Sequence, residues 1–130
     1  ERPATRFVAD FVGTLNSLVA KVEDAGAGVV SLAGQRLSLG RPLVADAAGE
    51  MTLGLRPEAV RLGAAPGFDV VLPAYLREVS FLGSVIRLRA ETAGQTISLD
   101  AFNHADAPPP QIGAQTQIAF RSADLIALDA

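Results

Sequence analysis

The sequence predicts an all-β fold of roughly eight to ten short strands, a sandwich or barrel rather than a parallel α/β sheet. Three observations carry this expectation. Apolar and polar residues alternate with period two through most of the 130 residues. Turn signals built on glycine or proline recur roughly every ten residues. Helical spacing is confined to residues 1–13, and no helix-length periodic segment separates the strand-like runs.

Residues 1–13, ERPATRFVADFVG, read as a short helix. Pro3 suits a first turn, Phe7 and Phe11 share a face with Ala4, Val8 and Val12, and Gly13 supplies a left-handed stop. From Asn16 the period changes to that of strands, and residues 14–130 are expected to form the β domain. Leu18, Ala20 and Val22 define a first strand; Val29 to Leu32 and Arg36 to Leu39 form a hairpin joined by Ala33-Gly34. A loop rich in Ala, Gly and Pro runs from Gly40 to Glu50. Met51, Leu53 and Leu55 alternate up to Arg56-Pro57-Glu58, where proline ends the ladder, and Val60 and Leu62 make a brief strand.

The longest β signal spans Phe68 to Leu82, with Pro73 expected at an edge or a bulge, and Gly83 breaks it. Ser84 to Glu91 resumes, with Ile86, Leu88 and Ala90 on one face and Arg87, Arg89 and Glu91 on the other. Ala93-Gly94 turns the chain into Thr96 to Leu99. A loop through Pro108, Pro109 and Pro110 follows, then Thr116, Ile118 and Phe120, and a last edge at Leu125 to Leu128.

Composition narrows the function. Apolar residues make up 49% of the chain and aromatics only 5%, so the core is aliphatic. The net charge is −3 without a basic stripe, which excludes a binder of nucleic-acid backbone; one Tyr and no Trp leave no stacking platform for single strands. Cysteine is absent, so no disulfide framework or thiolate site exists, and a reducing compartment such as the cytosol is expected. No apolar run is long enough to cross a bilayer as a helix, and residues 1–13 lack the apolar stretch of a secretory signal.

Chemical motifs are scarce. GAGVVS at Gly26 to Ser31 begins like a dinucleotide fingerprint, but Ser31 replaces the third glycine and a hairpin follows. Nothing matches a P-loop, LAGQ at Leu32 to Gln35 opens a strand rather than a helix, and no serine sits in a nucleophile elbow. His104 is the lone histidine, without the partners that catalysis or metal binding needs. No catalytic, cofactor or metal residue is therefore expected. The Arg56-Pro57-Glu58 corner reads as a strand end with a proline turn, and alternatively as a surface for a partner. Arg87 and Arg89 form a solvated face that, beside a groove, would suit an oxyanion.

Three segments together, PATRFVADFVG, LGLRPEAVRL and VSFLGSVIRLRAETAGQTISL, resemble the C-terminal part of ATP-binding subunits of ABC importers. In that family a helix like residues 1–13 closes the ATPase domain, and the RPE and LG segments mark the transport-associated OB-like (TOBE) regulatory domain. The ending, with Phe102-Asn103 before an acidic, proline-containing loop, is similar to importers of polyamines, iron or related small solutes. The resemblance implies an OB-like barrel without catalysis of its own, with ATP and Mg bound by an upstream ATPase domain. It also implies pairing with a second copy, permease subunits as partners, and a place at the inner side of the membrane. Arg56, Glu58, Phe81 and Gly83 are the expected regulatory or interface positions, and Arg87 and Arg89 the expected anion contacts. A sensor for an oxyanion or for the transported solute is the alternative.

Overall fold

A computed structural model describes residues 15–64, 66–102 and 111–128. The expected helix at 1–13, His104 and the three consecutive prolines lie outside the described residues. Among the described residues the chain forms ten strands and two single turns of 3-10 helix, and no α-helix. The all-β expectation is borne out. The strands fall into two compact units, one made of residues up to Arg56 together with those from Ser122, the other of Pro57–Arg121.

The first unit is a five-stranded antiparallel sheet. Its strands are β1 (Asn16–Asp24), β2 (Val29–Leu32), β3 (Gln35–Ser38), β4 (Glu50–Leu55) and β10 (Ile126–Leu128), in the order β10-β4-β1-β2-β3. The period of two decides the faces: Leu18, Ala20, Val30, Leu32, Leu37, Met51, Leu53 and Leu55 are buried. Their neighbours Ser17, Val19 and Lys21 face outward. The 40–50 loop is held by Asp46, whose Oδ1 accepts hydrogen bonds from the amides of Ala48 and Glu50, each 2.9 Å. Such an Asx turn replaces ladder bonds that the loop lacks.

The second unit contains β5 (Arg61–Leu62), β6 (Val70–Leu82), β7 (Val85–Thr92), β8 (Gln95–Phe102) and β9 (Gln115–Phe120), in the order β5-β9-β6-β7-β8. Both β5 and the 3-10 turn at Pro57–Ala59 lie against β8, so the two ends of the sheet meet and the sheet curls into a barrel. Its core is aliphatic apart from one ring: Val60, Val70, Leu72, Leu76, Leu88, Ile97, Leu99, Ile118 and Phe120 are buried.

The 13-residue β6 serves two neighbours in turn. Its first half pairs with β9 from Val70 to Tyr75; its second half pairs with β7 from Tyr75 to Leu82, with a register shift between Leu76 and Glu78. The bulge is thus at Arg77, not at Pro73 where the sequence places it, and β6 is a central strand. Proline is tolerated for a local reason. Gln117, opposite Pro73, gives its carbonyl to the Gly63 amide on the far side (2.7 Å), so the Pro73–Gln117 pair exchanges no ladder bonds. The Pro73 nitrogen therefore points where β7 has ended. Its carbonyl on that side accepts from the Thr92 hydroxyl at 2.8 Å, which satisfies a buried polar group.

Three hairpins have two-residue turns. Gly83 (φ 76) followed by Ser84 is a type II′ turn, so the run from Phe68 and the run from Ser84 are two arms of one hairpin. Ala33-Gly34 and Ala93-Gly94 are type I′, with both residues at positive φ, and alanine is strained there at 52° and 51°. Replacing either alanine by asparagine is expected to stabilise its unit by about 0.5–1 kcal/mol, read as a higher midpoint in urea unfolding. A lower midpoint for both variants would show that the strain lies elsewhere.

Candidate functional site

The outer face of β6-β7-β8 is assembled row by row from antiparallel register. Val85 stands opposite Leu82 on one side and Phe102 on the other; the next outward row is Ser80, Arg87 and Asp100, then Glu78, Arg89 and Ser98. On the alternate face Phe81 opposes Ile86, beyond the core layer of Val79 and Leu88. One end of the three strands thus carries Phe81 (57% exposed), Leu82 (54%) and Phe102 (72%). Alternation turns Leu82 and Phe102 outward, whereas Phe81 stands on the face of buried Ile86, one residue before the end of β6 at the hairpin, and is exposed there. Leu82 and Phe102 share the outer face across Val85, and Phe81 projects from the other face at the same end; exposed apolar side chains gathered at one end of a sheet are the usual mark of an interaction surface.

The remainder of this face is polar and internally neutralised. Arg87 grips Asp100 with two parallel bonds, Nε to Oδ1 at 2.9 Å and Nη2 to Oδ2 at 3.1 Å. The hydrogen bond first, and the carboxylate charge second, raise the Arg87 pKa above its ordinary value. Arg77 pairs with Glu91 less evenly, its Nε and Nη2 both reaching the single oxygen Oε1. Arg87 therefore spends its fork on a carboxylate of its own sheet. Arg89 lies between Glu78 and Ser98, opposite rather than ion-paired to Glu78 among the described residues.

Arg56 and Glu58 are exposed and flank a different feature. Pro57–Ala59 is one 3-10 turn that stops β4, closed by the Val60 amide on the Pro57 carbonyl at 3.2 Å. Glu58 contributes its backbone carbonyl to Arg61 Nη1 at 3.1 Å. No ion pair joins Arg56 to Glu58. Phe81 and Gly83 share one hairpin and Arg87 and Arg89 the strand that leaves it, whereas Arg56 and Glu58 belong to that separate turn.

Two features escaped sequence reading. Phe68, expected to begin a strand, lies before β6 and carries the guanidiniums of Arg121 and Arg61 over its ring at 4.6 and 5.5 Å. No local spacing marks that meeting of three segments. In the first unit, a cleft of about 490 Å³ lies between the Pro42–Asp46 stretch, Glu50–Thr52 of β4 and Ala127–Leu128 of β10. Among the described residues no cluster of three or more His, Cys, Asp or Glu could hold a metal ion.

The family model described as TOBE domain matches residues 53–128, more than half of the chain. The chain belongs to the TOBE domain family. Its curated relatives include the sn-glycerol-3-phosphate import ATP-binding protein of Paracoccus denitrificans, 42% identical over 65% of this chain and 22% of that protein. The spermidine/putrescine import ATP-binding protein of Rubrobacter xylanophilus is 38% identical over 75% of this chain and 27% of its own length. The Fe(3+) ions import ATP-binding protein of Escherichia coli is 32% identical over 88% of this chain and 30% of its own. This TOBE chain thus spans less than a third of the relatives it matches. Among solved structures, the cytoplasmic molybdate-binding protein ModG, with molybdate bound, has a TM-score of 0.58. That match covers 86% of the TOBE chain and 94% of ModG at 14% identity, a likeness of OB-like fold alone.

Proposed function

We propose that this TOBE chain is the regulatory and dimerising part of the ATP-binding subunit of an ABC solute importer, and does no catalysis itself. The observation that carries the reading is the family match over 53–128, with relatives that are all import ATP-binding proteins. On this reading residues 1–13 lead out of an ATPase domain that holds ATP and Mg. Residues 14–130 are the regulator, permease subunits are partners of the parent subunit, and the assembly works at the cytoplasmic side of the membrane. Among the described residues no helix is long and apolar enough to cross a membrane. The relatives serve a phosphate ester, polyamines, ferric ions and sulfate or thiosulfate, so the solute is left open between polyamine, iron and other small-solute uptake.

The apolar end of β6-β7-β8 is the dimer face on this reading, with Phe81 and Gly83 at its hairpin and Phe102 in the row of Leu82 and Val85 at the same end. Multi-angle light scattering of the purified chain is expected to show concentration-dependent dimers, which Phe81→Ser combined with Phe102→Ser shifts to monomers. A parent chain that stays monomeric at high concentration removes the dimer face; ATP turnover above background removes the non-catalytic role.

Ligand sensing is the second reading, favoured by the fold shared with a molybdate-bound protein along 94% of its length. The bidentate Arg87–Asp100 pair leaves Arg89 and the turn residues Arg56 and Glu58 as the better candidates for contact with a small solute or partner. Titration calorimetry with molybdate, sulfate and spermidine separates the two: a saturable heat supports sensing, and none at millimolar ligand retires it.

A further inference from the structure

The arginines of the second unit fall into two kinds. Arg77 and Arg87 are each held by a carboxylate of the same sheet, Glu91 and Asp100. Arg61 and Arg121 are exposed, and among the described residues neither makes an ion pair. The fold brings these two together all the same. Arg61 stands opposite Ala119 in the β5-β9 ladder, and Arg121 follows Ala119 by two residues, just past β9. Their side chains therefore leave one face as diagonal neighbours, rooted about 7–8 Å apart. Both guanidiniums then lie over the ring of half-buried Phe68, Arg121 at 4.6 Å and Arg61 at 5.5 Å from its centroid. All three residues belong to the second unit.

Two like charges over one ring repel each other by an energy similar to what each gains from the ring, about 0.5–1 kcal/mol at an exposed site. A ring takes up the face of a guanidinium and not its N–H edge. Of these edges, Arg61 Nη1 donates to the Glu58 carbonyl at 3.1 Å, a neutral partner that fixes the side chain and leaves its charge uncompensated. Asp69, next to Phe68, ion-pairs with neither arginine. We infer that Arg61, Phe68 and Arg121 form a site for a doubly charged tetrahedral oxyanion of the sulfate or phosphate class. Its two negative charges match the two uncompensated positive ones, and its oxygens can accept from both guanidinium edges at once. The shared ring positions the forks before the anion arrives, which lowers the ordering cost of binding. The site is distinct from Arg87, from Arg89 and from the turn residues Arg56 and Glu58. It deepens the ligand-sensing reading and rests on it: the sensed solute carries a sulfate or phosphate group.

A titration of the isotope-labelled chain, read at the Nε–Hε resonances of its arginines with sodium chloride holding ionic strength constant, tests the site. Sodium sulfate is expected to move the Arg61 and Arg121 signals along one saturable curve and to leave those of Arg87 and Arg89 in place. Arg61→Gln and Arg121→Gln change exposed side chains, so the fold is kept, and each is expected to weaken binding about five- to tenfold. Phe68→Leu is expected to weaken it about threefold, and Arg89→Gln to leave it unchanged. Inorganic phosphate and methyl phosphate separate two sources of the anion: tighter binding of the ester assigns the site to an esterified solute, equal binding to the free ion. Small shifts at every arginine that never saturate mean an adventitious ion only and overturn the inference. Saturable shifts at Arg89 or Arg56 in place of Arg61 and Arg121 also overturn it, while ligand sensing itself stands. No shift at any arginine overturns it as well, and the calorimetry with spermidine then decides the sensing reading alone.

Discussion

Gly28→Ala is expected to cost about 3–5 kcal/mol and to leave the first unit largely unfolded near room temperature. Gly28 has φ +76, where an L side chain is disfavoured by roughly 1–2 kcal/mol. The larger part comes from what the new methyl would meet: Arg41 carbonyl oxygen at 2.2 Å, its amide nitrogen at 2.9 Å and its carbonyl carbon at 3.0 Å. These are backbone atoms, so no rotamer change relieves the overlap. The chain at Arg41 must move, and it is tied on both sides. The Leu39 amide donates to the Gly28 carbonyl at 2.7 Å and the Leu43 amide to the Ala25 carbonyl at 2.8 Å. Displacing 39–43 breaks one or both bonds and pulls buried Leu43 from its place. Gly34→Ala is the control: its φ is +83 but nothing lies within 4 Å, so only the conformational term, about 1 kcal/mol, is lost. Equal midpoints for the two variants in urea unfolding would refute the clash.

How much of this was legible in the sequence depends on what period two encodes. It encodes which face a residue takes, so β2, β3, the Ala-Gly turns and the buried row of Ile86, Leu88 and Ala90 are read correctly from local pattern. It does not encode which strand lies alongside. Pro73 is the example: proline in a long apolar strand points to an edge, yet β6 is central. The edge is local, created where β7 ends beside Thr92 and where Gln117 turns its carbonyl to Gly63. The same holds for the candidate site. Phe81 and Gly83 stand out by their place next to a turn, but Phe102 joins them only through its register with Val85. Arg56-Pro57-Glu58 is conspicuous as a string, and its visible work is to stop a strand, with Glu58 acting through its backbone. Arg87 and Arg89 look equivalent at spacing two; Asp100 across the β7-β8 ladder makes them different.

Phe120→Ala is expected to cost about 3–5 kcal/mol, because it deletes a ring and leaves a cavity that an aliphatic barrel cannot fill. Phe120 is fully buried and faces Val70 across β6 and β9, among side chains that are branched and stiff. A unit the size of Pro57–Arg121 holds roughly 3–10 kcal/mol of stability in all, so the loss rivals the whole. Hydrogen exchange of the β6 and β9 amides is expected to become fast at neutral pH, and Phe120→Leu, which keeps most of the volume, should restore protection. The informative comparison is with Phe81→Ala in the same sheet. Phe81 is 57% exposed, so its removal leaves no enclosed cavity and is expected to stay within about 0.5 kcal/mol of the parent. A phenylalanine of so little benefit to folding at the end of a barrel is what the proposed dimer face calls for. If Phe81→Ala instead destabilised the unit as much as Phe120→Ala, the ring would belong to the core in solution and the dimer face would lose its centre.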